Sequence, residues 1–167
     1  MEYFEKKEGN IFFIPLFLPG GVKENIKNYK SFKFSENETY AYGRLIEKND
    51  STGDLIEIFK YTGEIPKDKN IILNSGRLTE PIHTTLAFDR DRWRFIFETD
   101  NYDKNKDSNY SEITFILGTE NSFDLWKGGT KQRISNDEAK KYNPWTIFNP
   151  TRVEDAIKTN NLAQLQQ

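Results

Sequence analysis

Eight consecutive apolar residues, Ile11 to Leu18, constrain this chain more than any other stretch of it. Both alternating sets of side chains are apolar, so as a strand the run must be covered on both faces; Pro15, with no N–H for a ladder, places it at an edge or a bulge. A run of this length also suits the core of a signal peptide. Its flanks argue against that, because Glu2, Glu5 and Glu8 outweigh Lys6 and Lys7, Pro15 interrupts the run, and Leu18-Pro19-Gly20-Gly21 offers no small-x-small cleavage site. The chain is therefore expected to be cytoplasmic, and no stretch reaches the ~20 apolar residues of a membrane span. The sequons Asn37-Glu38-Thr39 and Asn109-Tyr110-Ser111 then carry no glycosylation meaning.

Further short apolar runs, separated by Gly, Pro, Asn and Asp, continue to about residue 126 and predict about six strands of an antiparallel sheet. Tyr40 to Ile46 alternates Tyr40, Tyr42 and Arg44 with Ala41, Gly43 and Leu45, and Gly43 suits a close backbone approach. Leu55 to Tyr61 follows the turn Ser51-Thr52-Gly53-Asp54 and pairs with that strand as a hairpin. Ile71 to Leu73 reads as a short strand. Trp93 to Glu98 places Trp93, Phe95 and Phe97 on one face, and Glu112 to Gly118 is expected to return antiparallel to it across residues 99 to 111. Beyond residue 135 the pattern turns helical. Ser135-Asn136-Asp137-Glu138 and Thr151-Arg152-Val153-Glu154 both have capping-box spacing, and the second aligns Val153, Ala156 and Ile157 for packing. Residues 163–167 are expected to fray. The chain reads as one domain, 1–167, of α+β class: a predominantly antiparallel β sheet or partly open barrel with one or two C-terminal helices, and residues 20–38 inserted between the first two strands.

Valine occurs only at Val22 and Val153, against 13 Phe, 8 Tyr and 3 Trp, so aromatic rings must supply much of the buried area. A net charge of −2 gives no general attraction to nucleic acid or to an anionic membrane. Without cysteine there is no disulfide, no thiolate nucleophile and no thiolate metal site.

Catalytic and metal chemistry find little support. His83 is the only histidine, and Pro81-Ile82-His83-Thr84-Thr85 contains no nucleophile elbow, so it reads as a structural or surface residue. Asp103-Lys104-Asn105-Lys106-Asp107 opens like a calcium loop. Ser108 then stands where the turn needs Gly, and Thr114 stands where a bidentate Glu should close the site. Trp126-Lys127-Gly128-Gly129-Thr130-Lys131 lacks phosphate-loop spacing and reads as a Gly-Gly turn after a tryptophan anchor. No cofactor and no metal are expected. The chain reads as a binding protein and not an enzyme. The main rival is an Asp/Glu hydrolase using Asp89, Asp91 and Glu98, and a third reading is a carbohydrate- or single-strand-nucleic-acid-binding module built on exposed Trp and Tyr.

Two polar excursions leave the strand pattern. Gly20 to Asn37 holds Lys23, Lys27, Lys30 and Lys33 with Tyr29, Phe32 and Phe34; Thr99 to Ser111 holds Asp100, Asp103 and Asp107 with Tyr102 and Tyr110. Loops on a rigid scaffold often carry binding residues. Tyr102, Asp103, Asp107 and Tyr110 are the candidate contacts for a basic partner, and Tyr29, Lys30, Phe32 and Lys33 those for an acidic one.

Two blocks carry a family resemblance. Gly9-Asn10-Ile11-Phe12-Phe13-Ile14-Pro15-Leu16, followed by Tyr40-Ala41-Tyr42-Gly43-Arg44-Leu45, resembles the opening strands of the immunity protein 26 family. Weaker echoes follow in Leu55 to Phe59, Trp93-Arg94 and a closing helix like Thr151 to Ile157. Asn10 stands where the family usually has Asp, and Pro19 to Thr39 is longer than the turn expected between those strands. The resemblance implies a cytoplasmic bacterial protein that binds a cognate polymorphic toxin domain and blocks its active site or substrate access. It carries over no catalytic residue, and the charge balance with the lack of a membrane span leaves no nucleic-acid partner and no membrane partner expected.

Overall fold

The apolar run builds the centre of the molecule. In the computed structural model, which describes residues 1–19 and 28–167, Ile11 to Pro15 form a strand whose five residues are all buried. Lys23 and Lys27 of the basic excursion lie outside the described residues. The strands described are β1 (Ile11–Pro15), β2 (Tyr40–Glu47), β3 (Asp54–Ile58), β4 (Ile82–Thr84), β5 (Phe95–Phe97), β6 (Thr114–Leu117), β7 (Asp124–Lys127), β8 (Thr130–Arg133) and β9 (Ile147–Phe148). They form two open sheets, one ordered β5-β1-β2-β3-β4-β9 and the other β6-β7-β8. All pairings are antiparallel except β4 with β9. The class is α+β, and neither sheet closes into a barrel.

β1 lies between β2 and β5, but β5 pairs only with Ile11 and Phe12, across a bulge, so Pro15, opposite Tyr40 at the end of β1, has a strand on one side only. The expected return of residues 112–118 onto residues 93–98 does not occur. β5 pairs with β1 instead, and β6 pairs with β7 in the second sheet. Local closure favours this: the short turn of residues 118–123, with Gly118 at φ of 97° and the Ser122 N–H donating to the Thr119 carbonyl at 2.8 Å, brings β7 straight back onto β6, and a short loop costs less chain entropy than the longer return. Ile71 to Leu73 belong to a helical turn, α1 (Asn70–Leu73), that buries Ile72 and leaves Ile71 half exposed. An apolar run of three residues has no period by which helix and strand can be told apart.

Residues 99–112 contain α2 (Lys104–Ser108) and a 3-10 turn, Tyr110–Glu112. Ser135 caps α3 (Asn136–Ala139) by accepting the Glu138 N–H, one half of the expected capping box, while the Glu138 carboxylate accepts from Lys141 at 2.8 Å. α4 (Pro150–Lys158) starts earlier than its expected box. Asn149 is the cap, accepting the Arg152 N–H at 2.9 Å, with Pro150 at the first helical position. The C-terminal residues are packed, not frayed: Leu162–Gln166 form a 3-10 helix, Leu165 is buried, and Asn143 donates to the Gln166 side chain at 2.8 Å.

The alternation of β2 separates two cores. On one face Phe12, Ile14, Ala41, Leu45 and Ile56 pack with Trp93, Phe95 and the Val153 and Ala156 of α4. There Phe12 stacks on Trp93 with ring centroids 5.5 Å apart, and burial of each such ring contributes about 1.5–3 kcal/mol. Gly43 makes room for Phe12, because a Cβ would lie 2.5 Å from the Phe12 ring and 2.6 Å from the Glu57 carbonyl. On the other face Phe13, Phe34, Tyr40, Tyr42 and Phe59 form an aromatic cluster. Ile46 and Leu55 then meet Tyr110, Phe115 and Trp126, joining the two sheets.

Candidate functional site

Alternation along β2 places Arg44 on the face of Tyr40 and Tyr42, directly across from Glu57 of β3. Arg44 Nε donates to Glu57 Oε2 at 3.1 Å, and Arg77 Nε donates to Oε1 at 3.1 Å. Both guanidinium groups then reach the last turn of α2: Arg44 Nη2 donates to the Asp107 carbonyl at 2.8 Å and Arg77 Nη2 donates to the Ser108 carbonyl. The Ser108 hydroxyl donates back to Glu57 and meets the Tyr102 hydroxyl at 2.6 Å. Burial pushes the Tyr102 hydroxyl up to about 12, so it stays protonated. Cations at the free carbonyls of a helix C-terminus are favourable, and here they fix a helix too short to persist alone.

The other end of α2 is also tied. Asp103 accepts the N–H groups of Asn105 and Lys106 at 3.0 and 3.3 Å, and Asp107 Oδ2 accepts the Asp103 N–H at 2.9 Å. The carboxylates of the half calcium loop are thus engaged as a reciprocal cap, and no metal-holding cluster occurs among the described residues. Tyr110 is buried and donates to Glu47, which also pairs with Lys104 at 2.9 Å. What α2 presents outward is Asp103, Asn105, Lys106 and Asp107, with Asp100 before them.

A second clamp holds Tyr29 and Phe32, in the described part of the basic excursion. Arg92 donates from Nε and Nη2 to the two oxygens of Glu154 at 2.7 and 2.6 Å, and the Trp93 indole donates to the same carboxylate at 2.9 Å. Burial raises the Glu154 carboxyl, and the Arg92 hydrogen bonds and charge oppose that rise. Arg92 also donates to the Tyr29 hydroxyl at 2.6 Å and to the Pro19 carbonyl at 3.1 Å. Arg94 Nη2 donates to the carbonyls of Tyr29 and Phe32 at 2.6 and 2.9 Å. The guanidinium of Arg94 lies over the rings of Phe34 and Tyr3.

The eight candidate contacts therefore divide. Tyr102, Asp103, Asp107 and Tyr110 gather around α2, whereas Tyr29, Lys30, Phe32 and Lys33 gather around the arginine pair of residues 92 and 94. Tyr29 and Tyr110 are buried and Tyr102 half-buried, so those rings face inward; Lys30, Phe32, Lys33, Asp103 and Asp107 face outward. The sequence reading missed Arg44, Glu57, Arg77 and Glu154. The available signal was a charged residue in mid-strand on a face of bulky rings, at Arg44 and again at Glu57.

The rival constellations are assembled only in part. Asp89 and Asp91 line one cleft of about 370 Å³, while Glu98 lines another with Ile65, Pro66 and Phe97. Trp93 and Trp126 are buried and Trp145 is half-buried, which leaves no fully exposed tryptophan platform. His83 is buried. No helix among the described residues is long and apolar enough to cross a membrane.

The family model described as Immunity protein 26 matches residues 7–122. That span contains β1 to β6, α2, and every clamp residue except Glu154. No curated protein and no solved structure gives a significant match.

Proposed function

The chain belongs to the immunity protein 26 family, and on that premise we propose that it binds a cognate bacterial toxin domain in the cytoplasm and neutralises it by covering its active site or substrate access. The observation that carries this reading is the pair of arginine clamps. Each ties the backbone of a surface segment to the body of the fold, at Tyr29 and Phe32 in one case and at Asp107 and Ser108 in the other. A surface ordered before binding avoids the entropy cost of ordering on contact, which is a large part of what limits protein–protein affinity. Buried charge in these positions gives little net stability by itself, and its value lies in fixing one arrangement.

The two clamped segments are the contact candidates: Asp103 and Asp107 toward a basic site, Lys30, Phe32 and Lys33 toward an acidic one. Tyr29, Tyr102 and Tyr110 support these segments from beneath. Co-expression with the toxin domain encoded beside the chain's gene tests the reading. A tagged toxin domain is expected to co-purify with the chain and to lose its toxicity; separate elution with toxicity intact contradicts the proposal.

A further inference from the structure

Three exposed rings share one buried base. Tyr3, Phe17 and Phe32 keep 37%, 36% and 39% of their surface exposed, more than large rings keep in a core. Phe17 and Phe32 both rest on Phe34, at 6.3 and 4.6 Å between ring centroids, and Tyr3 rests on Phe13 at 6.3 Å. Phe13 and Phe34 are themselves 4.9 Å apart, so the three outer rings form one patch. Isolated exposed rings need no explanation, but a contiguous aromatic patch marks a contact site. The patch is also stiff, because Arg94 ties the Phe32 carbonyl while its guanidinium spans Tyr3 and Phe34.

Charge narrows the occupant. Lys30 and Lys33 are exposed beside Phe32, and among the described residues neither has a carboxylate within ion-pair distance. Glu38 acts on the Tyr40 hydroxyl from the neighbouring turn and is paired with neither lysine. Next to the rings opens the cleft of about 370 Å³, which shares Tyr3, Lys30 and Arg94 with the patch; its lining also carries Asp89 and Asp91, with Lys6 3.9 Å from Asp89 and 2.7 Å from Asp54. The cleft's own charges are thus mixed, and it is the exposed rings beside the exposed Lys30 and Lys33 that suit an apolar side chain flanked by carboxylates.

We propose that Tyr3, Phe17 and Phe32, framed by Lys30 and Lys33, are the face that docks the toxin domain, and that the toxin presents there an apolar anchor surrounded by acidic side chains. This rests on the reading of the chain as a toxin-binding immunity protein. The rings set how long the complex lasts, and the lysines set how fast it forms.

Binding of the toxin domain encoded beside the chain's gene, followed by surface plasmon resonance, separates these roles. The double variant Phe17→Ala/Phe32→Ala is expected to weaken the complex at least tenfold, mostly through faster dissociation. Lys30→Glu/Lys33→Glu should slow association at low salt, with the difference shrinking as salt rises, and Lys131→Glu on the distant β8 should change neither rate. Hydrogen exchange on the unmodified complex gives a second reading that needs no variant: protection is expected at residues 16–18 and 28–34. Unchanged rates in both double variants, or protection confined to other segments, overturns this face and leaves the toxin-binding reading standing. Failure of the wild-type chain to bind that domain overturns both.

Discussion

His83 lies buried between aromatic rings, 3.8 Å from Trp145 and 4.5 Å from Phe115, and neither of its ring nitrogens has a hydrogen-bond partner among the described residues. Burial pushes its pKa from 6.5 down to about 3. Because the folded value lies below the unfolded one, the neutral ring favours folding fully above pH 6.5, and that contribution is lost as pH falls toward about 3. Urea unfolding of the wild type between pH 6.5 and pH 4 should therefore show an added loss approaching about 1.4 kcal/mol per pH unit, which His83→Phe removes. Equal pH slopes in the two proteins would show that His83 does not titrate this way. Glu57 poses the opposite problem, a buried anion with two guanidinium partners. Its replacement by alanine leaves Arg44 buried without its carboxylate and should cost about 3–5 kcal/mol in denaturant unfolding, well beyond a surface charge deletion.

At the level of elements, α4 tests how a local signal is read. Thr151 and Glu154 have the spacing of a capping box, yet Asn149 performs the capping and Glu154 is turned inward to Arg92 and Trp93. Asn149→Ala should lower stability by about 1 kcal/mol, whereas Thr151→Ala, which loses only a hydroxyl bond to Asn149, should cost a few tenths; thermal unfolding of the pair decides it. β1, β2 and β3 were legible because their apolar sets alternate or run unbroken. β4 and β9 were not, being three and two residues long, with His83 and Thr84 filling positions a pattern search scores as polar. The two polar excursions could be read as candidate surfaces from their composition. What holds them could not, since Arg44 and Glu57 are 13 residues apart and Arg92 and Glu154 are 62 apart, and only the folded sheet brings them together. The inward turn of Tyr29 and Tyr110 follows from the same cause: each hydroxyl answers a charged group from another element.

Across the whole molecule, separate aromatic clusters brace the sheets, one around Phe34 and Phe13 on the large sheet and one around Trp126 and Trp145 at its junction with the small one. The large rings leave little slack for a hinge, and the two clamps extend that rigidity to the surface segments. A body built this way is suited to presenting a fixed surface to a partner. Titration of the active toxin domain with the purified chain, reading toxin activity at each ratio, tests this most directly. A neutralising immunity protein gives activity that falls in proportion to added chain and vanishes near one equivalent, with a stable complex recovered at the endpoint. Activity that persists through several equivalents, with no complex recovered, would contradict it.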